Sequence, residues 1–213
     1  AILVPQINLL TNSIFLGHDN LESLGNAGIT GVFYLIFAVA GHGLNNALQS
    51  VLSRYAGSDN TGLFRVILNQ GIRISLQIAV AGILITFLLS PPVFKAIADP
   101  AAYPQQMSFL RIRIWGLPFL YLFQMGNAFL VASLNSRLLI LGFLAEAIFN
   151  ILFDYLLIFG HGGFPRMGFN GAAVASVIAE AAGCLTVFAV IARTGLKKRY
   201  NLLHDFGYDR ART

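Results

Sequence analysis

Apolar stretches long enough to cross a hydrocarbon core of roughly 30 Å as helix, about 20 residues each, recur along this chain from one end to the other. Backbone placed in lipid must satisfy its own hydrogen bonds, so repeated runs of this kind leave a bundle of transmembrane helices as the fold. The composition agrees: 56% of the 213 residues are hydrophobic and 11% charged, against roughly half apolar and a quarter charged in soluble domains. A secreted protein with one cleaved leader is excluded, because the runs do not stop after the first.

The first apolar piece, 1–16, begins without a methionine or a polar flank and reads as a truncated helix in a fragment of a longer protein. Further spans are expected at Gly28–Leu52, Val66–Ser90, Ser108–Leu134, Leu138–Phe159 and Gly168–Ala192, with Pro91-Pro92 closing the third. The chain is therefore expected to be all-α and polytopic, a six-helix bundle over residues 1–196 followed by a basic, water-exposed cytoplasmic segment over 197–213. His161-Gly162-Gly163-Phe164-Pro165 is a turn signal between the last two spans.

The formal charge of +5, from 14 Lys+Arg against 9 Asp+Glu, sits mostly at the ends of apolar runs and is topology information rather than a nucleic-acid footprint. Arg54, Arg65, Arg137, Arg193, Lys197, Lys198 and Arg199 share alternate loops, and the positive-inside rule makes that side cytoplasmic. Asp19, Glu22, Lys95, Asp99 and Arg166 fall on the other side; Arg111 and Arg113, inside the fourth span, are expected to snorkel outward. Cys184 is the only cysteine, so it forms no internal disulfide and packs as a small hydrophobe.

Polar residues within the spans carry the functional signal. Glu146, Asn150 and Asp154 stand at fourfold spacing, which gives the fifth span a polar stripe. An ionised carboxylate at the bilayer centre costs about 2.5–3.5 kcal/mol on insertion scales, so Asp154 should face protein or a water-filled cavity, where it can carry a proton or hold a cation. The bland alternative is a structural hydrogen bond to a neighbouring helix. In the sixth span Gly171, Ala175, Ala179 and Gly183 form a small-residue ridge suited to close helix packing. The adjacent row of Ala172, Ser176 and Glu180 carries a carboxylate that either faces the same cavity as Asp154 or pairs with a basic residue on another helix.

His42, Asn46, Gln49 and Ser53 line one side of the second span, and Asn69, Arg73 and Gln77 one side of the third, faces expected to turn inward. Gln124 and Asn127 add polar groups to the fourth span, where Trp115 and Tyr121 line a cavity or contact lipid. No second histidine stands at metal spacing from His42, so a hydrogen-bonded core role is the default and no metal site is expected. There is no GxSxG elbow, HExxH or Walker loop. Neither an enzyme nor an ATP-driven pump is indicated; an ion gradient would supply the energy.

Pro5, Asn12 and Gly17, then Leu24-Gly25, Arg54-Tyr55-Ala56-Gly57, the run Asn150 to Gly160 with Asp154 at its fifth position, and Pro165, Gly168, Gly171, Ala172 and Ala173 together resemble the multidrug and toxic compound extrusion (MATE) family. The likeness covers nearly the whole chain. It implies the N lobe of a two-lobe transporter lacking its C lobe, resident in the plasma or inner membrane and exporting small organic, often cationic compounds against entering protons or sodium ions. Those ions would be the only cofactors. The resemblance assigns Asn150 and Asp154 to the ion-coupling pair. Asn12 departs from the family, whose members usually carry an acid there; it cannot release a proton, but its amide oxygen can hold a cation. Glu146, Glu180, Ser176, His42, Gln49, Gln124 and Asn127 remain candidates to line the cavity. Two rivals stay open. A lipid-linked oligosaccharide flippase of the related superfamily would use Arg73, Arg111 and Arg113 for phosphate, and a non-transporting membrane module would need no ion site.

Overall fold

A computed structural model of the chain describes residues 11–18, 21–56, 61–196 and 200, and all of its regular structure is helical. Helix α1 covers 11–18, followed by α2 (Leu21–Ala56), α3 (Thr61–Ile97), α4 (Tyr103–Arg113), α5 (Leu117–Ala132), α6 (Leu139–Phe159) and α7 (Phe169–Arg193). Two 3₁₀ turns, Ile114–Gly116 and Ser136–Leu138, stand before α5 and α6. Among the described residues five segments are long and apolar enough to cross a membrane, with α4 and α5 forming one of them. The segment 197–199 and the residues after 200 lie outside the described residues, as do Pro5, Asp19 and Gly57.

The helices differ from the expected spans where proline is concerned. Helix α3 runs straight through Pro91 and Pro92 to Ile97. Each proline removes one N–H and crowds the carbonyl four residues back, but the pair stands within two turns of the helix end, where polar surroundings can satisfy the freed carbonyls of Phe87 and Leu88. The fourth span, expected unbroken, is interrupted instead. Pro118, at the start of α5, has no N–H for Ile114 and its ring crowds that carbonyl, so the chain tightens into the 3₁₀ turn, with Leu117 N–H bonded to Ile114 O.

Small residues set the packing of α6 on α7, the most extensive helix contact. A side chain at Gly171 would run into the backbone of Leu157 and Ile158, and Gly183 faces the Gly142 carbonyl and the Glu146 Cβ. The predicted ridge on α7 is therefore buried against α6 along its length, Ala175 and Ala179 included. Gly160 ends α6 with φ 76°, a left-handed conformation that only glycine adopts cheaply, and Met167 N–H returns to Leu157 O at 2.8 Å to close the loop.

The main apolar core lies at the α3–α5–α7 end, around Phe64, Phe129, Leu52 and Val187, with Cys184 among them. Tyr200 belongs to it: it is buried and stacks on Phe64 with centroids 4.4 Å apart. The segment expected to be water-exposed thus sends at least this one side chain into the bundle, because an aromatic ring gains more from the apolar slot than from water.

Candidate functional site

Helices α1, α6 and α7 meet in an apolar cluster of Leu16, Ile158, Ala172, Ala173, Phe169 and Phe109. Four residues from Leu16, Ile158 and Ala172, one turn deeper along each helix, stand Asn12, Asp154 and Ser176. The three share a level. Asn12 Nδ2 donates to Ser176 Oγ at 3.2 Å, and the contacts of Gly171 and Gly183 with α6 fix a register that sets Asp154 within a turn of Ser176. Asp154 has no exposed surface and Asn150, the next turn of its stripe, is 1% exposed. Residues far apart in sequence thus form one polar layer inside a membrane bundle, rich in carboxylate, amide and hydroxyl oxygens, the donors that hard cations prefer.

The next level inward is a buried ion pair. Glu180, one turn from Ser176 on the same row of α7, accepts from Arg113 Nη1 at 2.9 Å and from Nη2 at 2.5 Å. The Tyr34 hydroxyl donates to the same carboxylate at 3.2 and 3.3 Å, while its ring lies under the guanidinium, 3.7 Å from Cζ to centroid. The side chains are 13% and 7% exposed for Arg113 and Glu180. Of the two readings of Glu180, pairing with a basic residue is the one realised, and Arg113 does not snorkel. A carboxylate in direct contact and a tyrosine face beneath it make the interior a better solvent for this guanidinium than a path to the surface.

The remaining candidates scatter. Glu146 is half-buried beside Gly183. His42 is exposed and meets Gln124 Nε2 through Nδ1 at 3.1 Å, so it is hydrogen-bonded without being in the core. Asn46 and Ser53 are exposed, Gln49 and Asn127 half-buried, and Arg73 and Gln77 exposed. Asn69 is half-buried like Gln49, so the polar rows of α2 and α3 lie off the packed interior of the described residues. The buried line of α2 is Gly41, Asn45, Leu48 and Leu52, each one residue before the polar row, and that rotation of about 100° per residue carries the row off the packed face. Tyr121 is fully buried and donates to Phe37 O at 2.8 Å, whereas Trp115, within the 3₁₀ turn, is 55% exposed.

Two polar groupings escaped the sequence reading. Asn26 donates to Gln105 Oε1 and accepts from Gln106 Nε2, both at 2.7 Å, and Asn170 donates to Ser108 Oγ at 2.9 Å. Tyr34 was missed as well. The available signal was the fourfold spacing of Asn26, Thr30 and Tyr34 along α2.

A multi-pass α-helical membrane bundle with a buried carboxylate layer is the class that fold and site define. Residues 2–156, more than half of the chain, match the family model MatE, and the chain belongs to that family of transporters. A probable multidrug resistance protein NorM of Synechocystis sp. is 28% identical over 170 residues, covering 79% of this chain and 37% of that protein. An FAD transporter of Shewanella oneidensis is 26% identical over 169 residues, covering 79% of this chain and 37% of that protein. The fold superposes on the outward-facing conformation of a multidrug resistance MATE family transporter of the MOP superfamily with a TM-score of 0.82 and 20% identity, covering 98% of this chain and 46% of that one. The chain thus spans less than half the length of these relatives.

Proposed function

We propose that this chain forms one lobe of a secondary antiporter in the plasma or inner membrane, which exports small organic, often cationic compounds in exchange for sodium ions or protons, with a second lobe of the same polypeptide completing it. The reading rests on one observation above all: Asp154, with no exposed surface, shares a level with the hydrogen-bonded Asn12 and Ser176 within the membrane-spanning part of the bundle. A carboxylate is held there at a cost that a structural role alone does not require. The entering cation binds Asp154 with help from Asn150 and the amide oxygen of Asn12, and its differential affinity for the two access states shifts the lobes from one to the other. The exposed His42 and Asn46 and the half-buried Gln49, with Gln124 behind them, face the cargo path between the lobes. Glu146 stands at the edge of that path.

The flippase reading needs unneutralised positive charge for phosphate, and the pairing of Arg113 with Glu180 weakens it. The FAD transporter among the relatives keeps the nature of the cargo open. Uptake and efflux of a fluorescent organic cation by vesicles holding the full-length gene product, under sodium and pH gradients imposed separately, tests the proposal. Flux driven by one gradient and lost in Asp154→Asn supports it. Flux that survives Asp154→Asn, or thermal protection by a phosphate-bearing lipid where organic cations give none, overturns it.

A further inference from the structure

The buried pair of Arg113 and Glu180 lies outside the ion layer, yet it touches the break inside the α4–α5 span, where α-helix gives way to a 3₁₀ turn. Arg113 is the last residue of α4, directly before the Ile114–Gly116 turn. At that turn the i→i−4 ladder gives way to 3₁₀ bonding and Pro118 withholds an N–H, which is where a helix bends most easily. Gly116, in the same turn, lies against the Glu180 carboxylate and the Arg113 guanidinium with no room for a Cβ. Three contacts therefore seat the break on α7: the bidentate ion pair, the Tyr34 hydroxyl and ring from α2, and the Gly116 backbone. Ser176, the α7 member of the ion layer, stands one turn from Glu180 on the same row.

We propose that Arg113 and Glu180 are a coupling joint, positioning residues that carry cation occupancy of the Asn12–Asp154–Ser176 layer along α7 to the break between α4 and α5. The inference rests on the function proposed above. A cation entering the layer recruits Ser176 Oγ, which now accepts from Asn12 Nδ2, and so displaces that bond. The displacement this imposes on α7 reaches Glu180 through one turn of rigid helix. A bidentate guanidinium–carboxylate contact held from a third side by tyrosine resists stretching, so Arg113 follows, and the compliant element is the turn behind it. Trp115, within that turn and the only tryptophan of the chain, reports the movement.

The test uses the full-length gene product in detergent, with Trp115 as its sole tryptophan, titrated with sodium at fixed pH and with protons in the absence of sodium. Two signals are read: the cation-dependent rise in melting temperature, which reports binding at Asp154, and the cation-dependent change in Trp115 emission, which reports the break. In Glu180→Gln the emission change should fall about fivefold or more while the melting-temperature rise persists. The double variant Arg113→Met, Glu180→Met removes the charges without leaving one unpaired, and it should behave in the same way if Glu180→Gln does not fold. An emission change that persists in these variants overturns the joint and leaves a static brace. Loss of both signals in Glu180→Gln also overturns it, because Glu180 would then belong to the ion site. A melting temperature indifferent to both cations, or raised equally in Asp154→Asn, removes the ion layer and the joint with it.

Discussion

The backbone of Gly116 rests directly on the carboxylate of Glu180, so closely that a methyl group added to the glycine would overlap the carboxylate oxygen that Arg113 Nη1 holds. The most tightly packed point of the buried ion pair is thus a contact with main chain. Gly116→Ala should force the carboxylate aside and destabilise the protein by about 1–3 kcal/mol, the usual range for overpacking. Thermal unfolding followed by size-exclusion chromatography measures it, and an unchanged midpoint would mean that the turn yields without resistance.

Removing one charge of the pair strands the other. Arg113→Met alone, which leaves Glu180 buried without its cation, should cost about 3–5 kcal/mol, whereas the double replacement of Arg113 and Glu180 by Met should cost much less. A double variant no more stable than the single one would contradict the account of a compensated buried pair.

Helix α7 approaches α6 backbone to backbone at Gly171, where an added Cβ would meet Leu157 C at 2.7 Å and Ile158 N at 2.9 Å. At Gly183 an added Cβ would meet the Glu146 Cβ at 3.2 Å and the Gly142 carbonyl oxygen at 3.3 Å. Gly171→Ala should therefore destabilise by about 1–3 kcal/mol, and Gly183→Ala by clearly less. Equal losses at the two sites would show that the helices separate as a unit.

Leu134, between α5 and the following 3₁₀ turn, adopts φ 61° and is 93% exposed. A branched side chain in the left-handed region costs about 1–2 kcal/mol and its exposure offers nothing in return. Leu134→Gly should raise the melting temperature, less the entropy that glycine releases on unfolding; a fall would show that the leucine has a partner in the full-length assembly.

Cysteine accessibility can separate water from lipid at the exposed polar row of α2. With Cys184 replaced by Ala, Asn46→Cys should react with a charged thiol reagent in membranes and Leu84→Cys, on an exposed apolar face of α3, should not. Equal protection of both would place the α2 row against protein or lipid rather than a cargo path.

The amino-acid sequence by itself determined the solvent and the class of fold. Apolar length and the obligation of backbone to pair with itself in lipid leave only helices, and two of the expected spans, Leu138–Phe159 and Gly168–Ala192, match α6 and α7 to within a residue. Fourfold spacing was likewise enough to find the stripe of Asn150 and Asp154 and the small-residue ridge of α7, because helical periodicity is a local property. Local rules misjudged the prolines. What Pro91-Pro92 and Pro118 do depends on where each stands in the bundle: near a helix end for the pair, and for Pro118 at mid-span, beside a turn whose Gly116 lies against Glu180 of α7. The partner of Glu180 was beyond reach for the same kind of reason. Arg113 lies 67 residues away, and whether an arginine snorkels or pairs is settled by what the neighbouring helix presents at its level. Periodicity also names a polar face without saying which way it points. The row of His42 and Asn46 turns outward because α2 spends its packed face on Gly41, Asn45 and Leu48, a choice made by the close approach of Tyr121 and α3 and therefore by tertiary structure alone.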